Sequence, residues 1–443
     1  MLKKIIERAI EFGFQDVEIV ENTNEEVSIS LFQGNVDKNF NGSKKEYTLK
    51  GLLNGQMAIT HFQKNEGDLS PKEIDNLIKK LYDNVKVLSS KEPNFIYEGS
   101  KKYPTIKKVE SDISSISPKQ KIKLLQQIEK NCFAKDERIE LVPNLEYLEE
   151  RRSCRIVNSK GLDVSKSVEF CGAYVMTVAG ANKQDPNKQI GYEISVKMNF
   201  NEVNAKEIAN KATKKALSMI GAAPVESGVY PVIIEKDAMR GLLSGFFSMF
   251  AGEAVLKHLS ALEGKIGEKI MSDKVSIIDD PLNENSILKE PFDAEGVATF
   301  TKDVVKDGVL KTYLHNLKTA KAFGVEPTGN ASTGGVAPMN FYLKAGELDL
   351  KQMMKKMKRG LVITSMQGLH AGLNPISGDF SAQSSGYLVE NGKISRPVTL
   401  IVVSGNFLKM MNEIEEIGSD LEFGFQGFGS PSVWFTGLPV SGK

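Results

Sequence analysis

Residues 2–12 place Leu2, Ile5, Ile6, Ala9 and Ile10 at helical spacing, with Glu7, Arg8 and Glu11 on the other side, so the chain opens on an amphipathic helix. The period then drops to two in Val17-Glu18-Ile19-Val20, Val27-Ser28-Ile29-Ser30-Leu31 and Tyr47-Thr48-Leu49. Gly34, Asn41-Gly42 and Asn54-Gly55 read as turns between these runs, which predicts an antiparallel meander. Ser70-Pro71-Lys72-Glu73 sets an N-cap serine, a proline at the first helical position and a glutamate at the third, so a helix runs to about Val87. Ser117-Pro118-Lys119-Gln120 repeats the device. Residues 88–116 between them lack helical period and read as a loop or crossing. Strand-like alternation covers 138–200, with a hairpin turn at Asn158-Ser159-Lys160-Gly161, and a helix is predicted over about 202–220.

Beyond that point the texture changes. Of the 38 glycines, 11 fall in residues 1–220 and 27 in 221–443, so close backbone approach dominates the second half. Ala222 to Ser227 reads as a linker into a strand at Val229–Ile234, and the apolar run 241–252 reads as a buried helix. A single hydrophobic core stops growing at roughly 250–300 residues, so 443 residues imply two domains. The expected fold class is α+β: an N-terminal antiparallel sheet with helices over residues 1–222, and a Gly-rich, mostly-β domain with helices over 223–443.

Apolar residues at 41%, charged at 26% and aromatic at 8% exclude disordered, collagen-like and coiled-coil classes. The net charge of +1 provides no whole-chain field for nucleic acid, which is not expected as a partner, nor for an anionic membrane. Charge enters at Lys3, Lys4 and Glu7, before an apolar signal core forms, and no roughly 20-residue apolar run occurs. A cytoplasmic location is the expectation. The three cysteines (Cys132, Cys154, Cys171) are far apart and odd in number, so neither a disulfide framework nor a zinc knuckle is supported. There are four histidines: His61, His258, His315 and His370.

That scarcity constrains the candidate chemistry. A predicted helix from Phe246 to Glu263 carries Gly252-Glu253-Ala254-Val255-Leu256-Lys257-His258, close to a metallopeptidase helix but with one imidazole where zinc needs two. Glu253 and Lys257 at i, i+4 are explained by a surface ion pair. His258, His315 and His370 form a trio only if the fold gathers them. No nucleophile elbow, dinucleotide loop or phosphate loop is present: Gly241-Leu242-Leu243-Ser244-Gly245 has the wrong spacing and Gly424 to Gly429 departs from G-x-G-x-x-G. The basic run Lys351–Arg359 reads as a helix with Met353, Met354 and Met357 buried. Two polar glycine-bounded loops are the candidate peptide-binding elements: Thr328, Gly329, Asn330 and Ser332 in one, Gly378 and Asp379 in the other. Tight turns would use the same residues.

Phe292-Asp293-Ala294-Glu295-Gly296-Val297, Asp307-Gly308-Val309-Leu310-Lys311, Thr328-Gly329-Asn330-Ala331, Pro338-Met339-Asn340-Phe341-Tyr342-Leu343, Thr364-Ser365-Met366-Gln367-Gly368, Ser377-Gly378-Asp379-Phe380-Ser381 and Ser404-Gly405-Asn406 follow one another in the order of the TldD/PmbA (TldE) family. This family is also called peptidase family U62 or modulator of DNA gyrase, and the chain resembles it over essentially its whole length. In the metal-bearing TldD branch the helix reads H-E-x-x-x-H, with a cysteine nearer the C-terminus. Aligned on Glu253, the first histidine position holds Gly252 and the second Lys257, while His258 falls one residue late, and no cysteine follows Cys171. The resemblance is therefore to the PmbA/TldE branch. It implies no metal or other cofactor in this chain, zinc in a TldD-type partner, no catalytic residue here, unfolded peptides as substrates and a homodimer when alone. A non-enzymatic homodimeric regulator of the gyrase-modulator type is the alternative.

Overall fold

The computed structural model describes residues 1–88, 94–107 and 110–443. The opening helix forms as α1 (Leu2–Phe12), burying Leu2, Ile5, Ile6 and Ala9. It leads into β1 (Asp16–Phe32), β2 (Asn35–Leu53) and β3 (Gln56–Gln63). The expected turn at Asn41-Gly42 is not one: both residues lie inside β2, Asn41 opposite Val27 and Gly42 opposite Glu26. Gly42 carries no side chain because the ring of Phe40 lies over it, where a Cβ would sit 2.9 Å from Phe40 Cε1. A strand pairing of 17 residues outweighs one local turn signal.

Helix α2 (Pro71–Lys86) starts on a reciprocal capping box, in which the Glu73 amide donates to Ser70 Oγ and the Ser70 amide to the Glu73 carboxylate. Of the expected crossing 88–116, residues 89–93 and 108–109 lie outside the described residues; the remainder is irregular apart from a 3-10 turn at Ile113–Ser115. Then follow α3 (Pro118–Lys135), β4 (Ile139–Asn158), β5 (Asp163–Ala179), β6 (Gln189–Lys197) and α4 (Ala205–Leu217). Helix α4 starts later than the predicted 202 because the Asn204 side chain caps it, accepting from the amides of Lys206 and Glu207. The six strands form one antiparallel sheet in the order β3-β2-β1-β4-β5-β6. Odd-numbered β1 residues (Val17, Ile19, Ile29, Leu31) all face the helices, in two apolar clusters under α1–α2 and α3–α4.

The C-terminal half begins with β7 (Gly228–Ile234), α5 (Lys236–Phe246) and the single turn α6 (Gly252–Leu256). Short strands β8 (Ile277–Asp279), β9 (Lys302–Lys306) and β10 (Val309–Leu310) precede α7 (Leu317–Phe323), the hairpin of β11 (Ala331–Ser332) and β12 (Gly335–Val336), and β13 (Phe341–Leu343). The chain continues through α8 (Leu350–Met357), β14 (Gly360–Gln367), α9 (Leu369–Gly372), β15 (Asp379–Glu390), β16 (Lys393–Asn406), α10 (Phe407–Asn412), β17 (Ile414–Ile417), β18 (Glu422–Phe423), β19 (Phe428–Ser430) and β20 (Val433–Ser441). One sheet runs β10-β9-β8-β13-β19-β18; another runs β16-β15-β14-β7-β20-β17, with β16 also meeting β20 so that five strands close on themselves. Helix α5 packs its Met239, Leu242, Leu243 and Phe246 into the core between them, and α8 buries Met353, Met354 and Met357 as its spacing predicted. Among the described residues no helix is long and apolar enough to cross a membrane.

The halves interlock. Phe292 leaves the C-terminal half to pack with Ile156 and Leu162, and Lys166 donates to its carbonyl at 2.8 Å while ion-pairing with Glu290. Tyr103 Oη donates to Gly296 O at 2.7 Å, and Ser100 Oγ accepts from the Ala298 amide. Phe170 of β5 meets Phe425 edge-on, with centroids 4.7 Å apart.

Candidate functional site

The predicted continuous helix Phe246–Glu263 is replaced by three pieces, and the reason lies in the backbone's partners. Helix α5 ends at Phe246, a 3-10 turn takes Phe247–Phe250, and Ala251 is extended. There the chain bridges to Leu314: the Leu314 amide donates to Phe250 O and the Gly252 amide to Leu314 O, each at 2.8 Å. Strand-type bonding to a distant segment thus takes the place of i→i−4 bonding. After one helical turn His258 sits at φ 58°, and the chain folds back so that Ser260 Oγ donates to Met249 O at 2.6 Å.

The four motif positions consequently stand apart from one another. Glu253 and Lys257 make the expected ion pair at 2.7 Å, and His258 is exposed with its Nδ1 2.8 Å from Glu263. Gly252 faces inward, onto the ring of His315. A Cβ on Gly252 would lie 2.7 Å from His315 Cε1 and 3.1 Å from Leu314 O, so the imidazole of His315 occupies the space that a side chain at 252 would need. His315 is itself buried, packed against Phe323 and Tyr313, with Nδ1 3.2 Å from Thr319 Oγ1. Burial pushes its pKa down to about 4, so the ring is neutral at physiological pH. His370 lies on α9, exposed. Among the described residues no group of three or more His, Cys, Asp or Glu side chains is arranged to hold a metal ion. The residues present do not fit a zinc site of the H-E-x-x-x-H kind: one position lacks a side chain, the next is a cation and the nearby imidazole points to solvent.

The Thr328–Ser332 loop is adjacent to His315 and faces inward. Thr328 Oγ1 accepts from the His315 amide at 2.6 Å and lies 2.8 Å from Asn330 Oδ1. The fully buried Asn330 donates to Asp279 Oδ2 at 2.8 Å and to Ala337 O at 3.1 Å. Asp279 is paired in turn with buried Lys302 at 2.9 Å. Gly329 at φ 70° passes within contact of Ala298 and Thr299, where a side chain would not fit. Ser332 is half-buried in the β11–β12 hairpin. Gly378 and Asp379 stand in a separate loop, in which Asp379 Oδ1 accepts from Asn406 Nδ2 at 2.9 Å and Ser377 Oγ donates to its other oxygen at 2.7 Å. The structure thus gathers Thr328, Gly329 and Asn330 around a buried polar core and leaves Asp379 exposed in a separate loop, with Gly378 buried against Asn406.

Two acids of the Phe292–Val297 motif complete this core. Asp293 accepts the amides of Glu295, Val297 and Ala331, so the turn is stitched to the Thr328 loop; burial holds its pKa above the usual carboxylate range. Glu295 accepts the Leu317 amide at 2.8 Å at the start of α7, and burial, reinforced by Asp293, pushes it up to about 7. Asp279 and Lys302 escaped sequence reasoning, and Glu295 entered it only as one residue of the Phe292–Val297 motif. Asp279 carries one signal, a charge at the end of the short apolar run Ile277-Ile278-Asp279, which any surface strand shares.

An α+β framework with a broken, ligand-poor metallopeptidase-type helix defines the class. Family profiles for the PmbA/TldA metallopeptidase central domain and C-terminal domain match residues 111–220 and 227–442. A Metalloprotease from Archaeoglobus fulgidus is 30% identical over 72% of this chain and 75% of its own length. Metalloprotease MJ0996 from Methanocaldococcus jannaschii is 27% identical over 97% of the chain and 95% of its own length. Metalloprotease PmbA from Escherichia coli is 32% identical, with the match spanning 47% of this chain and 45% of that one; a PmbA homologue from Buchnera aphidicola is 29% identical over 66% and 64%. The solved Thermotoga maritima protein described as a modulator of a DNA gyrase superposes with a TM-score of 0.92 at 34% identity over 99% of both chains. TldE from Thermococcus kodakarensis shares the fold, with a TM-score of 0.89 at 21% identity over the whole of both chains. The chain belongs to the PmbA/TldD (TldE) family of metallopeptidase-like proteins.

Proposed function

We propose that this chain is the metal-free, peptide-binding subunit of a two-subunit metallopeptidase, acting on unfolded peptides with a TldD-type paralogue that carries the zinc. The observation that carries the reading is the packing of Gly252 against His315: a buried, neutral imidazole fills the place of a ligand side chain, so the site is closed by packing and not by one missing residue. Backbone pairing at a sheet edge would give such a subunit affinity for an extended peptide without strong sequence preference. The test mixes this chain with a TldD-type partner and follows hydrolysis of an unstructured peptide. Hydrolysis should appear in the mixture and be absent from this chain alone; an unchanged rate on mixing refutes the pairing. Stoichiometric zinc retained by this chain after dialysis, measured by elemental analysis, refutes the metal-free assignment.

A further inference from the structure

The basic run Lys351–Arg359 has no part in the functional reading, yet the fold concentrates it. Helix α8 turns Met353, Met354 and Met357 to the core, which leaves Lys351 and Lys355, at i and i+4, together on an outer face. The helix then ends in a γ-turn: Lys358 stands at φ 62° and ψ −54°, with the Arg359 amide donating to Met357 O at 2.7 Å. A turn of this hand is rare and strained for a residue with a Cβ. It leaves two successive cations, Lys358 and Arg359, exposed. The β15–β16 turn packs against this end of α8. Gly392 donates its amide to Lys358 O at 2.8 Å, and a Cβ on Gly392 would lie 2.9 Å from Lys355 Cα, so Lys393 and Ile394 are brought alongside the helix. Ile394 stands opposite Val389, which packs with the methionines of α8, and is 50% exposed on that same face.

Lys351, Lys355, Lys358, Arg359 and Lys393 are all exposed, and among the described residues none of them lies within ion-pair distance of a carboxylate. Lys356, on the other flank of α8, does find one, Glu416 at 3.0 Å. Two acids stand nearby and both are engaged: Asp349 caps α8 by accepting the Gln352 amide, and Glu390 accepts from Ser395 Oγ. Helix stability does not account for the cluster. Cations in a last turn complement the helix dipole, but Lys351 sits in the first turn, where a cation is unfavourable, and Lys358 holds a backbone conformation that only glycine adopts freely. In a chain with 57 basic and 56 acidic residues, five unpaired cations in one place create a local positive field. Lys351 and Lys355 are about 6 Å apart along the helix axis. Alternate residues of an extended peptide project from one face about 6.5 Å apart, so carboxylates at i and i+2 match the two lysines. Ile394 supplies an apolar contact beside them. No aromatic residue occurs in 348–359 or 390–397 to stack on a nucleic-acid base. We infer that α8 and the β15–β16 turn form a docking surface for an acidic, extended polypeptide segment that carries an aliphatic residue among its carboxylates. Under the metallopeptidase reading such a segment belongs to the substrate, but the inference does not rest on that reading.

Fluorescence anisotropy of the full chain with labelled peptides tests it. The probe is a run of Glu-Ser repeats around a single leucine, compared with the same peptide carrying Gln or Lys in place of Glu. The Glu peptide should bind roughly tenfold or more tightly than the Gln peptide, and its affinity should fall as salt rises from low to physiological. Lys355→Glu combined with Lys393→Glu should weaken the Glu peptide roughly tenfold or more, and should bind the Lys peptide better than the wild type does. Lys358→Gly separates binding from folding. Glycine takes the γ-turn without strain, so this variant should keep or raise the Tm while weakening the Glu peptide roughly two- to fivefold. Equal affinity for the Glu and Gln peptides, a charge-reversed variant that binds like the wild type, or a Lys358→Gly variant with undiminished affinity would each overturn the proposal. A single-stranded oligonucleotide of the same charge that displaces the peptide and binds more tightly would overturn it as well, in favour of a phosphate-binding surface. None of these outcomes bears on whether a TldD-type partner brings hydrolysis.

Discussion

Gly252→Ala is the smallest change that tests the packing on which the functional reading stands. The new methyl would sit 2.7 Å from His315 Cε1 and 3.1 Å from Leu314 O, about an ångström inside normal contact with a buried ring. His315 has nowhere to retreat: Phe323 and Tyr313 flank it, and its amide and carbonyl are both bonded to Thr328 Oγ1. Overpacking of a filled core costs typically about 1–3 kcal/mol. Against this stands a gain of up to about 1 kcal/mol from the lower entropy of the unfolded chain when glycine becomes alanine. The single variant should therefore lose up to about 2.6 kcal/mol, or up to about 10 °C in Tm for roughly 200 residues. The cleaner quantity is the coupling. In a His315→Ala background the ring contacts are gone and only Leu314 O stays close to the methyl, so a double-mutant cycle followed by urea unfolding should give an interaction term of about 1–3 kcal/mol. An equal cost for Gly252→Ala with and without His315 would refute the claim that this imidazole excludes a side chain at 252.

Two further outcomes follow from the buried polar core. Glu295 is held up to about 7 by burial, above its unfolded value, so the folded state binds the proton more tightly and stability falls as pH rises from about 4.5 through 7. Glu295→Gln keeps an acceptor for the Leu317 amide and should flatten that decline in chemical denaturation between pH 5 and 8; an unchanged slope counts against it. His315, pushed down to about 4, acts in the opposite sense, its contribution being lost as pH falls from about 6.5 towards 4, so variant and wild type must be compared at each pH. Lys302→Met leaves the Asp279 carboxylate buried without its cation and should cost about 3–5 kcal/mol in urea unfolding. Lys302→Met with Asp279→Asn should recover part of that loss, and no recovery would show that the pair's charge is not what Lys302 neutralises.

What was legible in the sequence was local. The capping boxes at Ser70/Glu73 and Ser117/Gln120 place α2 and α3 because the bonds involved close within three residues. Period-two runs located the N-terminal strands, and the methionines of α8 went to the core as their spacing required. The failures occur where a distant segment overrides a local signal. Asn41-Gly42 is a good turn pair until the length of the β1–β2 ladder absorbs it, and the run 246–263 has helical period until Leu314 claims its backbone. The candidate site was legible as residue types and not as a place. Thr328 and Asn330 look like ligand-facing polar residues, yet their partners, His315 and Asp279, lie 13 and 51 positions away. Only the fold reveals that those side chains are turned inward. The missing ligands, by contrast, were visible because an absence at 252 and 257 does not depend on tertiary structure.

The Phe292 contact with Ile156 and Leu162 bears on how this molecule moves. A side chain of the C-terminal half sits in an apolar cluster built on strands of the N-terminal half, and the 94–107 segment straps the adjoining Gly296–Ala298 turn through Tyr103 and Ser100. Swinging the halves apart would strip that ring of its contacts and break the Lys166 bonds in the same step, so the junction resists hinge motion. If an extended peptide is admitted, the opening that admits it must come from surface loops or from the arrangement of subunits around a rigid chain.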